Sequence, residues 1–109
     1  MLAGLASSQN PPVAVQMDDN GVVIPAHQQR HVRNGQVIRW ARAAQGANWY
    51  VKFARTPCSN GAEFGSDRTQ TCTVSARCAR PGDASCTYHY QSALGPNQPP
   101  HDPDIIVDN

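Results

Sequence analysis

Cys58, Cys72, Cys78 and Cys86 are the residues whose type and spacing could carry chemistry. Four thiols in one stretch can form disulfides in an oxidising compartment, or hold a metal as thiolates. Structural zinc takes close pairs, such as two cysteines two to four residues apart, with a second pair of the same kind. The cysteines here are spaced too widely for that, so disulfides are expected. Residues 72–78 read as a strand, which would hold Cys72 and Cys78 about 20 Å apart, beyond disulfide reach. Two pairings are then left. Arg80-Pro81-Gly82-Asp83 is a turn signal that would set Cys78 opposite Cys86. This favours Cys78–Cys86 with Cys58–Cys72.

The histidines are His27, His31, His89 and His101. His27 and His31 have the even spacing that would let them share a strand face as a metal pair, but solvent-facing strand residues are the reading adopted. Cys86 and His89 have opposite strand parity. No metal or cofactor site is expected. Asp18-Asp19-Asn20-Gly21 contains the start of a calcium loop but lacks its later ligands, and Glu63 is the only glutamate. It reads as a hairpin turn. No Ser, His and acid fall in a nucleophile motif. No catalytic residue is assigned, and the chain is not expected to be an enzyme.

Aromatic and basic residues offer a second chemistry. Tyr50 reads as an exposed aromatic, flanked by Lys52, Arg39 and Arg42. Stacking plus positive charge is the footprint of a single-strand nucleic-acid reader. A net charge of +1 and one exposed aromatic do not support that, so these four residues are candidates for protein interaction instead. Trp40 and Trp49 could stack a sugar, but their alternation points both inward.

The elements that must position these residues are short strands. The chain has 109 residues, with nine prolines, eight glycines and 16% charged residues. That composition suits strands and turns in one β domain. Val13–Met17, Val22–Ile24, His27–Val32, Gln36–Ala41, Trp49–Phe53, Cys72–Cys78, Cys86–Tyr90 and Ile105–Val107 read as strands. Ile38 shares a face with Trp40. Trp49, Val51 and Phe53 alternate with Tyr50 and the wet Lys52, and Tyr88 shares a face with Cys86 and Tyr90. Phe64 anchors an irregular stretch over 56–70 and is expected in a helical turn. Residues 91–101 read as a loop too polar for the core.

Residues 1–12 read as a flexible arm, able to reach about 35 Å when extended. Their opening lacks the basic and long apolar regions of a full signal peptide. No segment reads as membrane-spanning. Charge is segregated: residues 27–55 hold Arg30, Arg33, Arg39, Arg42, Lys52 and Arg55 with no acid, while acids gather from Glu63 onward. The two halves could complement each other within one molecule or between neighbours.

The order of the motifs Gly35-x-x-Ile38-x-Trp40, Trp49-x-Val51-x-Phe53, Thr56-Pro57, Tyr88-x-Tyr90 and Asp102-Pro103-x-Ile105-Ile106-Val107 resembles the cupredoxin-like β sandwich, in its copper-less bacterial branch. The resemblance covers residues 13–107. It implies a Greek-key sandwich of seven to eight strands with the last strand paired centrally. A copper-binding member would carry Cys and Met in the loop after Tyr88-His89-Tyr90; Gln91 to Asn97 has neither. An immunoglobulin-like sandwich ranks second, because all four cysteines follow both tryptophans.

The expectation is an all-β sandwich: an arm over 1–12 and a disulfide-braced domain over 13–109. It is expected to act as a non-enzymatic structural or protein-interaction module, possibly one subunit of a larger assembly, outside the cytoplasm. Alternatives are a metal-binding or electron-transfer domain using the histidines and thiols, and glycan or small-ligand binding through the loops at 56–70 and 91–101.

Overall fold

The computed structural model describes residues 11–44, 46–78, 80 and 82–109. Most of the expected arm, residues 1–10, lies outside the described residues. The described chain is an all-β sandwich of eight strands: β1 (Val13–Met17), β2 (Gln29–Arg33), β3 (Val37–Arg42), β4 (Tyr50–Phe53), β5 (Glu63–Gly65), β6 (Thr71–Thr73), β7 (Ser85–Ala93) and β8 (Asp104–Asp108). One sheet has the order β1-β3-β6 and the other β2-β8-β7-β4-β5. Both are mixed: β1 pairs with β3, and β2 with β8, in parallel. The last strand is therefore central, between β2 and β7.

Period-two alternation decides which side chains meet between the sheets. Val15, Met17, Ile38, Trp40 and Cys72 project inward from the three-stranded sheet, and Val51, Phe53, Phe64, Tyr88, Tyr90, Ile105 and Val107 from the other. Trp40 is the junction. Its ring lies 5.2 Å from Phe64, 5.9 Å from Tyr90 and 6.2 Å from both Phe53 and Trp49. Its indole N–H donates to the Tyr90 hydroxyl at 3.3 Å, giving the one polar atom of each buried ring a partner.

Both expected disulfides form, Cys58–Cys72 with Cα atoms 5.4 Å apart and Cys78–Cys86 at 5.5 Å. The route to the second differs from the sequence argument. The strand ends at Thr73, and only Val74 still bridges, to Cys58. The Ser75 N–H turns away to the Pro57 carbonyl, and the Cys78 N–H is taken by the Asn109 side chain. Cys86 pairs with Val107 in the ladder, so this disulfide ties an irregular segment to β7.

Four other expectations shift. Val22–Ile24 is not a strand: only Val23 bridges Met17. The Asp18 carboxylate instead accepts the Asn20 and Val22 N–H groups and tightens the turn, and Pro25 has no N–H to extend a ladder. Pro25–His27 is a single 3₁₀ turn, so His27 and His31 do not share a strand. Phe64 sits in β5, not in a helical turn, because β4 leaves an edge for it to pair. The polar loop begins later than 91: β7 continues to Ala93, and Ser92 exchanges both backbone hydrogen bonds with His101 at 2.9 Å.

Gly21 sits where the two sheets approach each other. Its φ is +75°, and a Cβ there would stand 2.7 Å from the Ala93 carbonyl carbon and 2.8 Å from the Leu94 nitrogen. Only glycine meets both conditions.

Candidate interaction surface

With the inward side chains used in packing, what can meet another molecule is two outer faces and the sheet edges. The five-stranded face is ionic. Strand β8 turns Asp104, Ile106 and Asp108 outward between His31 of β2 and His89 of β7. His89 Nδ1 is 2.6 Å from an Asp104 oxygen, and His31 Nδ1 is 3.1 Å from both Asp108 oxygens. Farther across, Lys52 lies 3.8 Å from Glu63, and Arg68 bonds Glu63 at 3.3 Å and Asp67 at 3.1 Å. The Arg68 hydrogen bond holds the Asp67 carboxyl below the usual carboxylate range.

The three-stranded face differs. Ala14, Gln16, Arg39, Ala41 and Thr73 are exposed on it. Arg39 is its one charge, and no ion pair involves it among the described residues.

The four candidate interaction residues do not make one patch. Lys52 is exposed on the five-stranded face, whereas Arg39 belongs to the other sheet. Tyr50 is a correction: it is 8% exposed, not free to stack on a ligand. The Arg68 guanidinium lies 5.2 Å over its ring and covers it, and burial pushes its phenol pKa up. Arg42 is a correction too. Its side chain is 13% exposed and donates to the carbonyls of Asn48 at 2.6 Å and Asp19 at 2.9 Å. It joins the 41–48 connection to the Asp18–Gly21 turn.

Sheet edges expose unpaired ladder groups that recruit other strands, and both edges of the three-stranded sheet are partly covered here. On β6, the Asn60 side-chain amide donates to the Thr71 carbonyl at 2.8 Å, and its oxygen accepts the Thr73 N–H at 3.0 Å. One asparagine thus imitates the next strand. On β1, the Ile24 N–H donates to the Gln16 carbonyl at 2.9 Å, Arg30 Nε donates to the Ala14 carbonyl at 3.1 Å, and the Gln16 N–H donates to His27 Nδ1 at 3.0 Å. Sequence reading missed these three side chains and both His–Asp pairs. The pairs carried a faint signal in the period-two spacing of Asp104, Ile106 and Asp108; the edge contacts carried none.

The thiols are all in disulfides. The histidines stand apart in separate contacts: His27 at the β1 edge, His31 and His89 each with its own aspartate, and His101 beside Ser92. Among the described residues no group of three His, Cys, Asp or Glu side chains is arranged to hold a metal ion. Two open clefts of about 390 Å³ flank the structure. One is walled by Trp40, Ala44, Trp49 and Asp67, the other by Lys52, His89, Gln91 and Asp102. In the first, both tryptophans are floor rather than platform, at 2% and 6% exposed. In the second, Lys52 and His89 already face carboxylates.

Burial pushes the Tyr90 phenol far above its ordinary pKa, so it stays neutral beside Trp40. Among the described residues, no helix is long and apolar enough to cross a membrane. Compared with known proteins, the chain matches no family model, no curated protein and no solved structure.

Proposed function

We propose that the chain is a non-enzymatic structural or protein-interaction module, acting in an oxidising compartment outside the cytoplasm. The observation that supports this most is how its reactive side chains are used. His27, Arg30, Arg42 and Asn60 bond to backbone, His31, His89, Lys52 and Arg68 face carboxylates, and the four cysteines are joined. Each of these groups holds the scaffold. Two disulfides in one stretch suit an oxidising compartment. The sparse three-stranded face, with Arg39 as its single charge, is the surface assigned to contact. The cupredoxin-like resemblance is carried forward as a proposal; the central position of β8 supports it.

The test is the solution mass of the full chain, and of the chain lacking residues 1–12, by size exclusion with light scattering. Association that is lost on deletion is the expected result. A monomer in both cases would remove self-assembly from the proposal and leave only a foreign partner.

A further inference from the structure

A backbone N–H can only donate. The ring nitrogen that receives the Gln16 N–H, His27 Nδ1, must therefore carry a lone pair, with the proton on Nε2. The contact is 3.0 Å long and joins residues eleven apart in sequence. His27 is placed for it by the 3₁₀ turn Pro25–His27, whose own His27 N–H is anchored to the Ile24 carbonyl at 2.8 Å. We propose that His27 is an acid-operated latch on the β1 edge: protonation of its ring converts the nitrogen that accepts the Gln16 N–H into a donor and releases it.

The surroundings favour the neutral ring. The charged group that faces it is Arg30, reaching from β2 to the Ala14 carbonyl on the same edge. β1 brings the Gln16 N–H, and no carboxylate among the described residues forms an ion pair with the ring. Burial first, and Arg30 second, hold the His27 pKa below its ordinary value. Two of the other histidines differ in geometry. His31 and His89 face carboxylates, so a proton on either ring strengthens its contact. Release is local, since the Ile24 and Arg30 bonds to the same edge do not depend on the His27 proton. No ligand or partner enters the device, so it stands or falls separately from the function proposed above.

The experiment is amide exchange and ring-nitrogen NMR on the ¹⁵N-labelled full chain between pH 7.5 and 5. At the upper pH His27 is expected as the Nε2–H tautomer. Through its titration the Gln16 protection factor, referred to the unfolded rate at each pH, falls roughly tenfold, the size of one backbone hydrogen bond. Val51, in the middle of β4, stays unchanged. His27→Asn, which offers an oxygen where Nδ1 stood and does not titrate, keeps Gln16 protected at both ends of the range. A His27 Nδ1–H tautomer at pH 7.5, or Gln16 protection that is flat through the titration, overturns the proposal. So does an H27N variant that follows the parent's pH curve. Should H27N fail to fold, the parent's titration decides alone.

Discussion

The two sheets solve the same surface problem differently. The five-stranded sheet sets basic side chains against acidic ones across its outer face: His31 against Asp108, His89 against Asp104, and Lys52 and Arg68 against Glu63. The three-stranded sheet leaves its face nearly uncharged and uses side chains at its rims instead, where His27, Arg30 and Asn60 complete the ladders of β1 and β6. Exposed ion pairs are weak, because water and salt screen them. Backbone groups at an edge have specific partners, and removing a partner strands a donor or acceptor. The smaller sheet should therefore be the more sensitive to single substitutions, although fewer of its residues are charged.

The largest effect is expected where the sheets adjoin. Gly21→Ala combines an unfavourable φ with a clash against the β7 backbone, so it should cost about 3 kcal/mol or more in urea unfolding. A loss under about 1 kcal/mol would mean that the turn shifts freely, and that the sheets are less tightly joined than their close approach implies. Next comes the disulfide at the β6 rim. Replacing Cys58 and Cys72 by serine should cost about 3 kcal/mol, by loosening the unfolded chain's constraint and freeing the segment that bears Asn60. Asn60→Ala alone should cost about 1–2 kcal/mol, since it leaves the Thr71 carbonyl and the Thr73 N–H without a protein partner. If Asn60→Ala were neutral while Lys52→Ala was not, the contrast between the sheets would be reversed.

Smaller effects test the other half of the contrast. The lowered His27 pKa has a definite sign. Between the folded value and the ordinary value of about 6.5, the unfolded chain binds more protons than the folded chain. Its contribution is therefore complete above pH 6.5 and is lost as pH falls through the folded value. The pH dependence of unfolding in His27→Asn should be flatter there than in the parent by less than one hydrogen bond, under about 1 kcal/mol. Last, 1 M NaCl should weaken the ionic face by under about 1 kcal/mol in total, read as a shift in the urea midpoint after correction for salt's general effect. A loss of several kcal/mol would show that the surface pairs hold the larger sheet together.

Much of the architecture was legible because it is local. Ile38 with Trp40, Val51 with Phe53, and Tyr88 with Tyr90 each alternate within one strand, Trp49 stands one residue before β4, and all are buried. Period two is set by the pleat, so it needs no knowledge of neighbours. The favoured cysteine pairing matches the disulfides that form, although the strand assumed for residues 72–78, on which the distance limit rested, ends at Thr73. The surface was less legible. Tyr50 has the sequence pattern of a wet residue, and the fold brings Arg68 over its ring and leaves it 8% exposed. Arg42 likewise resembled a free cation until the fold set two carbonyls within its reach. Segregated charge between the basic middle and the acidic end was visible; that β2 lies parallel beside β8 and sets His31 against Asp108 was not.

By itself, then, the sequence determined the all-β class and the inward-facing residues of most strands, and it favoured the two cysteine pairs that form. Each of these follows from short-range geometry: side-chain alternation, turn dihedrals and the reach of a disulfide. The tertiary structure alone decided which strands lie side by side, which edges are covered and which histidine meets a peptide N–H rather than a carboxylate. His31 and Asp108 are 77 residues apart in the chain, and Arg30 and Ala14 are sixteen apart. Such contacts form because the core brings distant backbone together, and no local pattern encodes where an edge group will find its partner.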